Sequence, residues 1–152
     1  MRIGYDVGPI MRGPQTGIPV EEAVARHGLH GRVVLTGYVA DVELAALYPG
    51  CAYYFAYRSL YEGFRLPVLE AMALGTPVVT SNVSSLPEVA GDAALMVDPY
   101  NPAQIAGALR RLLGDESLRD DLRRRGTERA AKFSWEYCAE EHVCACCEVV
   151  GA

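Results

Sequence analysis

From Cys51 to Tyr57 the chain runs apolar and aromatic without polar alternation, a pattern that predicts a strand buried on both faces of a parallel sheet. A polar turn follows. Leu66, Leu69 and Ala73 then recur at helical spacing, with Pro67 suited to the first turn and Gly75 to the stop, so a helix is predicted over Leu66 to Leu74. Pro77 to Thr80 reads as a second short strand. The whole is a β-loop-α-β unit, and Glu62 and Glu70 bracket its loop and the start of its helix.

The same patterning organises the rest of the chain. Residues 2–7 predict a short strand, and the following GPIMRGPQTGIP a glycine- and proline-rich loop. Val20 to Arg26 predicts a short helix ended by Gly28, Arg32 to Thr36 a buried strand, and Val42 to Tyr48 a helix capped by Asp41 and stopped by Pro49 and Gly50. Ser85 and Glu88 have capping-box spacing, with Gly91 as the stop, which predicts a one-turn helix. Ala94 to Val97 is the last predicted strand. Asn101, Pro102 and Gln104 then open a helix whose apolar stripe is Ile105, Ala108, Leu109 and Leu112. Leu118 to Arg129 is mostly charged, with Leu118 and Leu122 as the inward pair and its arginines read as a solvated face. Ser134 caps a terminal helix, with Phe133 and Cys138 spaced as a hydrophobic staple.

The two carboxylates sit where chemistry is expected. At the carboxyl end of a parallel strand, the loop and the next helix N-terminus offer unpaired N–H groups and partial positive charge, a seat for phosphate or sugar oxygens. A helix starting near Pro67 puts Glu70 about one turn in, and helical side chains lean back toward the N-terminus, into the same crevice. A carboxylate accepts two hydrogen bonds side by side and so matches a vicinal diol such as a ribose. Glu62 is placed to do the same for a second polyol, or to sit beside a reacting sugar.

Glu62, Gly63, Phe64, Arg65, Leu66, Pro67, Val68, Leu69 and Glu70 together resemble the E-x7-E motif of the large retaining glycosyltransferase family with the GT-B fold, the group 1 or family 4 type. The likeness continues through Ser81 to Pro99 and through Phe133 to Glu136, and covers residues from about 23 to 143. It implies an α/β fold, a Rossmann-like parallel sheet with helices on both faces that forms the C-terminal, donor-binding half of a GT-B enzyme. It also implies retaining transfer of a hexose from a nucleoside-diphosphate sugar to an acceptor, with no metal required. In that scheme Glu62 is catalytic beside the donor hexose. The backbone N–H groups of Gly63, Phe64 and Arg65 contact the hexose or diphosphate, Leu66 belongs to the same donor-binding run, and Glu70 binds the ribose. Ser81, Asn82 and Ser84 lie in a loop that in the family faces the base and ribose, although such residues more commonly make turns. The SNVSSLPE stretch suggests a GDP-mannose-like donor.

The chain departs from the family pattern in three ways. Arg65 stands where the family usually has glycine, replacing a phosphate contact, blocking close approach or simply facing solvent as long charged side chains commonly do, and Arg58 stands where it usually has proline. Residues 1–19 resemble the start of the acceptor-side domain, whereas residues from 20 to 152 resemble the donor-side domain already under way, so a junction near residues 17–22 is expected. The Arg and Lys that hold the leaving diphosphate in relatives fall in the missing segment. Each such contact is worth about 1.5–3 kcal/mol, so the isolated chain is not expected to be active. The alternative is a non-catalytic structural or dimerising module that keeps the half-fold.

Composition narrows the setting. A length of 152 residues fits one domain rather than a two-domain enzyme. A net charge of −5 and a pI near 5.2 exclude a nucleic-acid footprint, which needs a basic face. No apolar run reaches membrane-spanning length and the N-terminus lacks a signal-peptide core, which predicts a cytoplasmic protein. Without a G-x-G-x-x-G after a strand, a dinucleotide oxidoreductase is disfavoured. Of five cysteines, Cys138, Cys144, Cys146 and Cys147 crowd the terminal helix. Cys138, His142 and Cys146, at i, i+4 and i+8, admit a metal face, but the expectation is buried or adventitious thiols and no metal. The apolar side of that helix, with Trp135, Tyr137 and Val143, is expected to be exposed or to pair two chains as a homodimer.

Overall fold

The computed structural model describes residues 20–34, 39–51, 54–56 and 66–150. The chain divides into two compact units, residues 1–44 and 45–152. In the first, helix α1 (Val20–Arg26) carries an Arg26–Glu22 ion pair at 2.7 Å. It closes with Gly28 at φ +63°, where Gly28 N–H donates to Ala25 and Leu29 N–H to Val24. Those two bonds form a Schellman stop, which needs a left-handed residue and so favours glycine. Of the strand predicted over Arg32 to Thr36, Val34 makes an isolated bridge, and residues 35–38 lie outside the described residues. Helix α2 (Asp41–Leu47) starts at Asp41 itself, so Asp41 is not the cap. The Ala40 N–H donates instead to Glu43 Oε2 at 3.2 Å, half of a capping box one residue earlier than expected.

Among the described residues, the second unit is built on a three-stranded parallel sheet in the order β1 (Tyr54–Ala56), β2 (Val78–Ser81), β3 (Ala94–Val97), with Tyr54 opposite Val78 and Val78 opposite Ala94. Helix α3 (Leu66–Ala73) connects the first two strands and α4 (Leu86–Ala90) the next two. Two long helices follow, α5 (Pro102–Gly114) and α6 (Glu116–Ala130), and then α7 (Trp135–Val150). This is the expected α/β, Rossmann-like arrangement. Burial of Val79, Val97, Leu112 and Leu122, with Ile105, Leu109 and Leu118 against them, welds the sheet to α5 and α6. Each such aliphatic side chain contributes about 1.5–3 kcal/mol when fully buried.

Helix α3 differs from its predicted face. Val68, Leu69, Ala71 and Met72 are buried, whereas Leu66 and Ala73 are exposed. The reason is that α3 is covered by α6, where Gly126 sits against Met72 so closely that a Cβ would lie 3.3 Å from Met72 Cγ. A second Schellman stop ends α3 at Gly75, φ +69°, with Thr76 N–H to Ala71 and Gly75 N–H to Met72. Thr76 Oγ1 then donates to the Tyr48 carbonyl at 2.8 Å, fixing the approach to β2.

The arginines of α6 are not simply a solvated face. Arg119 donates to the carbonyls of Leu112, at 2.6 Å, and Leu113, tying α6 to the end of α5. Arg125 reaches the Asp92 carbonyl, and Arg129 the carbonyls of Val89, at 3.0 Å, and Glu88, while its guanidinium lies 5.0 Å from the Phe133 ring centre. Only Arg123 and Arg124 keep to exposed pairs along the helix, with Asp120, Asp121 and Glu128. At α4 the predicted capping box is not formed: Ser85 has helical φ and ψ and makes no side-chain cap bond.

Candidate functional site

Because the strands are parallel, their carboxyl ends share one edge, and the segments after β1, β2 and β3 all leave from it. That edge is where open α/β sheets hold ligands. After β1 come residues 57–65, which carry Glu62, Gly63, Phe64 and Arg65 and lie outside the described residues. The described part of the site begins at Leu66, the first residue of α3, which is 40% exposed. Glu70 lies one turn further on and is exposed. As a helical side chain it leans toward the N-terminal end of α3, which faces the edge left by β1. Of the predicted donor-binding residues, the structure therefore places Leu66 and Glu70 on the first two turns of one helix.

The second contribution comes from β2. Thr80 and Ser81, at its carboxyl end, are 0% and 2% exposed, and their hydroxyl oxygens have no hydrogen-bond partner among the described residues. Buried hydroxyls are ordinarily paired, and an orphan costs about 1–3 kcal/mol. Ser81, expected from sequence in the loop, is the last residue of β2, opposite Val97. Thr80 was read as a strand residue, and only burial marks it as polar capacity held in reserve. Asn82 N–H donates to the Val97 carbonyl at 3.0 Å, so the turn is pinned to β3 and the Asn82 side chain stands exposed. Ser84 takes φ +59°, a left-handed conformation unusual for serine, and starts the turn into α4.

Other features are less suited to chemistry. Burial pushes the Cys51 thiol up from its ordinary value, and it donates to the Leu47 carbonyl at 3.3 Å, both of which favour the thiol over the thiolate. A groove of about 350 Å³ between β3 and α5, lined by Leu95, Met96, Val97, Gln104, Ala108 and Arg111, contains neither Glu70 nor Ser81. Among the described residues no three His, Cys, Asp or Glu side chains converge on a point that would hold a metal ion, and no helix is long and apolar enough to cross a membrane.

Residues 17–129 match the family model described as glycosyl transferases group 1. The chain belongs to that family. Over 122 residues it is 45% identical to the O-antigen chain mannosyltransferase B of Escherichia coli, which covers 80% of this chain and 32% of that protein. It thus spans about a third of the length of that curated relative. A solved C-terminal domain of a group 1 glycosyl transferase from Francisella tularensis is 30% identical, covering 74% of this chain and 59% of that one at a TM-score of 0.65. Sucrose-phosphate synthase from Thermosynechococcus elongatus is 27% identical and superposes at a TM-score of 0.79, over 93% of this chain and 38% of that one. The fold is therefore the Rossmann-like C-terminal half of a GT-B glycosyltransferase.

Proposed function

We infer that this chain is the donor-binding half of a retaining glycosyltransferase, which moves a hexose from a nucleoside-diphosphate sugar to an acceptor hydroxyl. In that reaction the bond between the anomeric carbon and the diphosphate oxygen breaks and the diphosphate leaves with the electron pair. The acceptor oxygen bonds to the same carbon on the same face and gives up its proton. Glu62 lies beside the hexose, the backbone of Gly63 to Arg65 with Leu66 lines the donor, and Glu70 takes the two ribose hydroxyls. Mannose is the donor sugar that the mannosyltransferase relative supports, and GDP as its carrier rests on the SNVSSLPE stretch alone. The observation that carries the reading is Glu70, exposed on the second turn of a helix that starts from the ligand-holding edge of a parallel sheet. It is also the final carboxylate of an E-x7-E run that falls inside the family match.

By itself this stretch binds donor without transferring it in our reading, since its match spans about a third of the O-antigen chain mannosyltransferase B, where further chain surrounds it. Residues 1–19 are the start of the acceptor-side domain in this reading. Calorimetric titration of GDP, UDP and ADP, with Glu70→Ala as control, tests it. Saturable binding by one nucleotide, weakened about tenfold or more in the variant, is the expected result, at the 1.5–3 kcal/mol of a charge-assisted contact. No binding by any of the three to folded protein would leave the motif a relic.

A further inference from the structure

Helix α6 holds both of the helices that follow β1 and β2. Its buried Gly126 sits against Met72 of α3, where a Cβ would lie 3.3 Å from Met72 Cγ, so the α6 backbone rides directly on that side chain. From the same helix Arg129 donates to the carbonyls of Glu88 and Val89 in α4, and Arg125 to the carbonyl of Asp92 just beyond it. Helix α3 carries Glu70, and α4 is entered through the turn that follows Ser81. One helix thus sets the span between the two contributions to the ligand edge.

Helix α4 cannot hold itself. With five residues it is far shorter than a helix stable on its own, and no side chain caps its start. The turn leading into it contains Ser84 at φ +59°, a conformation that persists in a serine only where the surroundings impose it. The bond from Asn82 N–H to the Val97 carbonyl pins the beginning of that turn to β3. Its other end is fixed only as well as α4 is fixed. At the carboxyl end of α4, where carbonyls lack helical partners and the helix dipole is negative, the two half-buried arginines supply the missing anchor. In a parallel β-α-β unit that end lies at the sheet edge opposite the ligands, so neither arginine touches a bound donor.

We propose that Arg125 and Arg129 are positioning residues for donor binding: by tying α4 to α6 they hold the turn at residues 82–85 at a fixed span from Glu70. This rests on the reading of Glu70 as a nucleotide contact. It adds that the affinity of the site depends on two cations at the far edge of the sheet, because binding groups are only as well placed as the bonds that lock their supports. Arg119 is the natural control. It donates in the same way to the carbonyls of Leu112 and Leu113, but there it ties α6 to α5, which carries none of the predicted donor residues.

The experiment titrates GDP, UDP and ADP calorimetrically into the full chain and into Arg129→Ala, Arg129→Lys, Arg125→Ala and Arg119→Ala, at a temperature where far-ultraviolet dichroism shows each to be folded. For the nucleotide that the parent chain binds, Arg129→Ala and Arg125→Ala should each raise Kd about three- to tenfold, and Arg119→Ala should leave it within about twofold although its Tm also falls. Arg129→Lys should recover part of the affinity. If Arg129→Ala does not fold, Arg125→Ala and Arg129→Lys carry the same comparison. A purely structural clamp lowers Tm and leaves the Kd of folded protein alone, so parent-like Kd values in the Arg125 and Arg129 variants overturn the positioning role and leave the donor reading standing. An equal loss of affinity in Arg119→Ala overturns it too. Failure of the folded parent chain to bind any of the three nucleotides sinks the donor reading, and the positioning role with it.

Discussion

Arg129 illustrates what a single side chain does in this fold. Its guanidinium donates to the last carbonyls of α4, at Val89 and Glu88, and covers the Phe133 ring. Charged hydrogen bonds of this kind contribute about 1.5–3 kcal/mol each when shielded, and this residue is half-buried. Arg129→Ala is therefore expected to cost about 2–3 kcal/mol, read as a Tm lower by several degrees. Arg129→Lys should recover only part, because one ammonium cannot reach both carbonyls in a fork. A loss no larger than that of Arg124→Ala, whose partners are exposed carboxylates, would show the clamp to be idle. Gly126 gives the opposite case. Alanine there gains about 1 kcal/mol of helix propensity but must push a flexible methionine 3.3 Å away, so Gly126→Ala should be close to neutral. Gly126→Val should cost about 1–3 kcal/mol by overpacking. Neither residue was legible from the chain, since an arginine among arginines looks solvated until a carbonyl 40 positions earlier is placed beside it.

At the scale of elements, the caps read at Ser134 and Asn101 form, whereas those read at Asp41 and Ser85 do not. Ser134 caps α7 through Tyr137 N–H at 3.0 Å, and Asn101 caps α5 through Gln104 N–H at 3.1 Å, as their sequence spacing predicts. The Gln104 side chain, expected to return to its own cap, accepts from Asp98 N–H at 2.6 Å instead, because the turn after β3 brings that amide nearer. Helix α6 starts two residues earlier than its apolar pattern suggests, at Glu116, with Asp115 accepting from Leu118 N–H at 2.9 Å. Asp115→Ala should thus cost about 1 kcal/mol in urea unfolding, and an unchanged midpoint would remove it as the cap. Within α6, hydrogen bonds from Arg124 and then Arg125 hold the Asp121 carboxyl below its usual range. A depressed carboxylate stabilises the folded chain above its unfolded pKa and stops doing so as pH falls through the folded value. The Tm advantage of the protein over Asp121→Asn should therefore be full at neutral pH, persist into the ordinary carboxylate range and vanish only below it. An advantage that is the same at every pH would assign the effect to packing.

Across the whole molecule, the sheet and the edge that carries Glu70 were readable because buried parallel strands and helix stops leave strong local marks: an unbroken apolar run, a proline at the first turn, glycines at positive φ. The hydroxyls of Thr80 and Ser81, unpartnered among the described residues, and the exposure of α7 were not, since both depend on what surrounds a residue and not on what precedes it. That contrast also orders the stability of the parts. Val78 and Val79 are 0% exposed at the centre of the sheet, whereas every residue from Trp135 to Val149 is exposed. A helix of about 15 residues that draws little on packing is marginal in water, and amide protection follows local stability. In hydrogen exchange on the chain, the amides of Val79 and Thr80 should exchange only with global unfolding, and those in the middle of α7 orders of magnitude faster. Protection of α7 equal to that of β2 would mean that another surface covers the helix, and the ordering of the parts by burial would then fail.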